Sequence, residues 1–110
     1  MELHYEKIAC IEEVYRNVNI SRCIYVFSNY DDMNGMVELM HAYMYKTIEL
    51  RQGELVGHHE IGVIVLDELD AHIFLENPEV NVILIHDMAS FNHVAQHFMT
   101  LPKHTYIIKL

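Results

Sequence analysis

The stretch Ile61-Gly62-Val63-Ile64-Val65-Leu66-Asp67-Glu68 decides the fold. It is a nearly unbroken apolar run rich in β-branched residues, and it stops abruptly at two carboxylates. A strand buried on both faces reads this way, because each face needs apolar side chains and only the far end emerges into water. Two further runs share the form. Val80-Asn81-Val82-Ile83-Leu84-Ile85 ends in His86-Asp87, and Arg22-Cys23-Ile24-Tyr25-Val26-Phe27 ends in Ser28-Asn29-Tyr30-Asp31-Asp32. A fourth, His104-Thr105-Tyr106-Ile107-Ile108-Lys109-Leu110, closes the chain.

Helical periodicity fills the gaps between these runs. Met33, Met36, Val37, Met40, Met44 and Ile48 recur at three- and four-residue spacing. They predict a helix capped by Asp31 or Asp32 and running on to Gly53, with the methionine stripe facing the core. Gly35, in its first turn, costs helix stability and is expected to allow close packing on the sheet. In the alternative the helix stops near Tyr45, and residues 47–50 pair with 54–56 as an antiparallel hairpin. Ile8, Ile11, Tyr15 and Val18 predict a helix over 4–17. Phe91, Val94, Ala95, Phe98 and Met99 predict one capped by Asp87 or Ser90 and ended by Pro102.

Between the central run and the next lie about a dozen residues, the length that a βαβ crossover needs. Asp67 is a candidate cap there, and Asn77-Pro78 a terminator. A meander through residues 72–75 is the alternative. The order of elements predicts one α/β domain over residues 1–110, with about four mainly parallel strands and helices on both faces. The competing architecture is α+β with an antiparallel hairpin at 46–57.

Half of the 110 residues are apolar, enough for a core without staples. Net charge is −9, from 7 basic and 16 acidic side chains. The basic residues are scattered, so no stripe exists to neutralise phosphates and no direct nucleic-acid binding is expected. No apolar run approaches the roughly 18 residues of a membrane span. The acidic start, Met1 to Glu6, lacks the basic opening of a signal peptide, and a cytoplasmic location is expected. Cys10 and Cys23 match no zinc or redox spacing and are expected to be buried, reduced thiols. The nine histidines make the charge sensitive to mild acid.

Open α/β sheets place their sites at the carboxyl ends of the strands. Here those ends carry Ser28, Asn29, Asp31 and Asp32, then Asp67 and Glu68, then His86 and Asp87. Asp31, Asp32, Asp67, Glu68, His86 and Asp87 are therefore the candidate binding residues. If they converge, such carboxylates suit a hard cation such as Mg²⁺ and phosphoryl chemistry. The competing reading is that Asp and Ser after a strand are ordinary helix caps. His86, beside Asp87, has the best position of the histidines for acid–base work. His93 and His97 have metal-ligand spacing but fall on a polar helix face, and His58-His59-Glu60 is a ligand-type run in a loop.

Residues 61–70 resemble the Walker B strand of P-loop ATPases, which implies Asp67 facing Mg²⁺ and Glu68 polarising water. The companion GxxxxGK[ST] loop is absent, so nothing cradles phosphates and an ATPase of that class is excluded. The receiver domains of response regulators place an acidic pair directly at a strand end. Asp31 and Asp32 stand too far past Phe27 for that pattern. No G-x-S-x-G elbow occurs. No residue is assigned a catalytic role.

Two function classes follow. The first is a small acidic, non-enzymatic protein-binding or regulatory module with no cofactor. It works by self-association or as a regulator or inhibitor of a larger protein. Its contact comes from an edge strand such as the C-terminal one, from the methionine helix, or from exposed Tyr30, Tyr43 or Tyr45. The second is a divalent-metal-dependent phosphoryl-transfer or nucleotide-binding domain using the strand-end residues.

Overall fold

Six strands hydrogen-bond into one sheet in the order β1-β6-β5-β2-β4-β3, and every described pair is parallel. They are β1 (Tyr5–Ile8), β2 (Arg22–Phe27), β3 (Lys46–Glu49), β4 (Glu60–Val65), β5 (Val82–Ile85) and β6 (His104–Ile108). The structure is a computed structural model that describes residues 5–8, 22–50, 54–80, 82–97 and 104–108. Three helices are described: α1 (Tyr30–Ala42), α2 (Ala71–Glu76) and α3 (Met88–His97), with a 3₁₀ turn at Leu66–Glu68. The α/β class read from the sequence is the class observed. The four strands expected from their apolar runs are the four contiguous inner strands.

Alternation along the strands builds two cores. Cys23, Tyr25 and Phe27 of β2 point to one face with Ile61, Val63 and Val65 of β4 and with Val82 and Leu84 of β5. Helix α1 covers this face with Met33, Met36 and Met40, with Val37 beside them, so that part of the methionine stripe is core, whereas Met44 lies past the helix end and is exposed and Ile48 packs on the opposite face. Each such side chain removed from water contributes roughly 1.5–3 kcal/mol. Ile24, Val26, Ile64, Ile83 and Ile85 point to the other face, where Ile73 and Phe74 of α2 and Val94 of α3 pack. Helices thus lie on both faces. The chain leaves β2 toward β3 in one direction and leaves β4 and β5 in the other, and right-handed crossovers running opposite ways put their helices on opposite faces. Cys23 is buried, as expected; Cys10 lies outside the described residues.

Several expectations are corrected. Residues 5–8 form a strand, not the start of a helix over 4–17, whose remaining residues lie outside those described. Helix α1 ends at Ala42 rather than near Gly53. The stop is a Schellman turn: Tyr45 N–H donates to Met40 O at 2.9 Å and Met44 N–H to His41 O at 3.0 Å, with Met44 at φ 68°. Residues 46–49 are then a strand, but not half of a hairpin over 46–57, because β3 pairs in parallel with β4. The α+β alternative falls with it.

The segment after β4 is a helical crossover, not a meander through residues 72–75. Asp70, not Asp67, caps α2 by accepting from the N–H groups of His72 and Ile73. Asn29, not Asp31 or Asp32, caps α1, accepting from Asp32 N–H at 2.9 Å. The C-terminal strand β6 is interior, and the edges are β1 and β3. Among the described residues nothing beyond its own helix packs on Gly35: a Cβ there would meet no atom outside its chain neighbours and that helix backbone within 4 Å. Among the described residues, no helix is long and apolar enough to cross a membrane.

Candidate functional site

β2 and β5 are neighbours whose outgoing chains diverge, β2 through α1 toward β3 and β5 through α3 toward β6. This divergence opens a crevice at their carboxyl ends, the position where open α/β sheets hold ligands. Ser28 and Asn29 end β2; His86 and Asp87 end β5. Strand order therefore brings together groups nearly sixty residues apart.

The groups engage one another. Ser28 Oγ donates to Asp87 Oδ2 at 3.0 Å, and Ser90 N–H donates to Asp87 Oδ1 at 2.7 Å, so Asp87 is the cap of α3. Partial burial pushes the Asp87 carboxyl up. The Ser90 N–H, the nearby Ser90 and Ser28 hydroxyls and His86 pull it down further, and it titrates below the ordinary value of 3.8. His86 Nε2 lies 3.8 Å from Asp32 Oδ2, and its side chain is 12% exposed. Asp32 also accepts from Asn29 Nδ2 at 3.1 Å.

Among the described residues, three buried polar atoms at or below this crevice make no well-formed hydrogen bond: Tyr25 Oη, His86 Nδ1 and Ser90 Oγ. Tyr25, Phe27 and His86 form an aromatic file up the sheet face. Tyr25 stacks on Phe27 at 4.2 Å, and Phe27 tilts against His86 at 5.3 Å. Burial pushes the Tyr25 phenol well above its ordinary value.

Of the six candidate residues, Asp32, His86 and Asp87 meet at the crevice. Asp31 is exposed one residue away and lines, with Asp32 and His86, a cleft of about 260 Å³ beside α1. Asp67 and Glu68 are exposed on the 3₁₀ turn after β4. Glu68 accepts a hydrogen bond from the Tyr30 hydroxyl and lines a larger cleft of about 500 Å³ with Glu49, Asp70, His72 and Glu76. Asp67 and Glu68 are thus not part of the group formed by Asp32, His86 and Asp87. Among the described residues, no three His, Cys, Asp or Glu side chains stand where they could share a metal ion. His58 and His59 are exposed, their rings tilted against each other at 3.9 Å. His93 is exposed on α3, and the side chain of His97 lies outside the described ones.

Sequence reasoning assigned no binding role to Leu39. It is 46% exposed on α1 and lines the smaller cleft with Gly35 and Met36. Leu39 falls off the methionine stripe, the one available signal of an outward apolar residue. Tyr43, 56% exposed, follows it by one turn, and Met44 is 89% exposed. Tyr45, also a candidate contact, packs half-buried against the core. Comparison of the chain with family models, with curated proteins and with solved structures returns no match.

Proposed function

We propose that this chain is a small acidic, non-enzymatic protein-binding module that acts by docking on another protein. The carrying observation is a contrast. The polar groups at the β2 and β5 ends are engaged in caps and pairs, whereas α1 and the turn that ends it present Leu39, Tyr43 and Met44 to solvent. Met44 sharpens the point. It holds a left-handed position where a non-glycine residue costs about 1–2 kcal/mol, and where Gly or Asn sits more easily and is less apolar. A large flexible apolar side chain exposed there favours a contact surface, and methionine adapts to irregular partners. Tyrosine is likewise enriched at interfaces.

The reading is tested by affinity purification of the tagged full chain beside a Leu39→Glu, Tyr43→Glu double variant, with the mass of any complex measured by sedimentation. A partner protein held in fixed stoichiometry by the wild type and released by the variant is expected. A wild type that retains nothing, or a variant that retains the same partner equally, contradicts it.

A further inference from the structure

We propose that the flank of α1 carrying Asp31, Gly35, Leu39 and Tyr43 is a docking groove for a basic amphipathic segment of a partner protein. An apolar side chain of that segment sits over Gly35 and Leu39, and a neighbouring lysine or arginine reaches Asp31. The inference rests on the binding-module reading and names the surface and the partner's chemistry.

The four residues are spaced by four, so they form one row along the helix. Read along the row they are acid, gap, aliphatic and aromatic. The gap has no structural cause. Glycine is the poorest helix former apart from proline, yet Gly35 lies inside α1. Its φ is not positive, and among the described residues a Cβ would meet nothing beyond its own helix within 4 Å. Neither backbone geometry nor crowding requires it. What it does is keep open a notch in the row, at the cleft of about 260 Å³ that Asp31, Asp32, Met36, Leu39 and His86 also line.

Charge selects the occupant. The rim carries two carboxylates, and among the described residues no lysine or arginine lines the cleft. A second copy of the chain, itself at −9, would set like charges against each other across a two-fold interface. A basic segment meets complementary charge and apolar surface together, the helix-in-groove mode of recognition.

The test follows the isotope-labelled full chain by NMR during titration with two synthetic amphipathic peptides, one of leucine and lysine, the other of leucine and glutamate. The lysine peptide is expected to shift Asp31, Gly35, Leu39 and Tyr43 saturably, and the glutamate peptide to leave them unmoved. Gly35→Leu fills the notch while improving helix propensity. It is expected to bind the lysine peptide at least about tenfold more weakly, with no fall in its thermal midpoint. Asp31→Asn is expected to weaken binding and flatten its salt dependence. Equal binding of both peptides, wild-type binding by Gly35→Leu, or no binding at all overturns the groove. Shifts centred instead on Leu55, before β4, and Leu75 of α2, both also exposed, overturn it too while leaving a protein-binding module in place. A partner retained equally by wild type and Gly35→Leu in the purification above has the same meaning.

Discussion

Ser28 Oγ and Asp87 Oδ2, 3.0 Å apart, fasten the carboxyl end of β2 to that of β5. The bond closes the floor of the crevice that the diverging chains open. It also fixes the role of Asp87, which holds Ser28 with one oxygen and the first turn of α3 with the other. A carboxylate with both oxygens so occupied is a fastening of the fold.

That role has a pH signature. The Asp87 carboxyl titrates below its unfolded value, so it contributes stability above about pH 3.9 that is lost as pH falls through its lower folded value. Denaturant midpoints measured from neutral pH down to strong acid should decline less steeply for Asp87→Asn than for wild type. Parallel curves would show that the carboxyl is not held by these partners.

Tyr25 is fully buried, and its hydroxyl has no hydrogen-bond partner among the described residues. An unpaired buried hydroxyl carries a desolvation penalty that its removal relieves. Tyr25→Phe keeps the ring stacked on Phe27 and should raise stability by about 1 kcal/mol in urea unfolding. A comparable loss would mean that the hydroxyl makes a bond in solution.

Two glycines should respond with opposite sign. At Gly62 in β4 a Cβ would stand 2.7 Å from Val56 Cγ2 and 2.8 Å from Leu50 Cδ1, inside the core on the α2 and α3 face. Gly62→Ala should therefore cost about 1–3 kcal/mol through overpacking. Gly35→Ala, with open space around it, should gain about 0.5–1 kcal/mol. Chemical denaturation of both variants checks the pair. A loss at Gly35 would reveal a packing need that its surroundings do not show.

How far the sequence reaches can be judged element by element. The inner strands were legible because burial on both faces leaves an apolar run with a polar end, as at Ile61–Glu68. Strand β3 was not. Ile48 follows Met44 by four, so the helical period continues by coincidence after the helix has stopped at a Schellman turn that lacks the usual glycine. The caps of α1 and α2 fall a few residues from where the sequence suggests, because Asn29, Asp31 and Asp32 are all good caps, and so are Asp67 and Asp70, whereas Asp87 caps α3 as expected. The strand ends were found, but the sequence does not print strand order. Only the placement of β2 beside β5 brings Asp32 to His86 and Ser28 to Asp87. Gly35 misled, because a helical glycine more often marks close packing than an open notch.

The proposed division of labour is that the strand-end carboxylates hold the fold while the α1 flank binds the partner. Its most direct test is the thermal midpoint of the wild type and of Asp32→Asn, first in EDTA and then in millimolar Mg²⁺, Mn²⁺ or Zn²⁺. A metal bound only by the folded state adds about 2.7 kcal/mol at a hundred times its dissociation constant, a shift easily seen. The account predicts no metal-specific rise in either protein. A rise in the wild type that disappears in Asp32→Asn would contradict it and make the crevice between β2 and β5 a metal site.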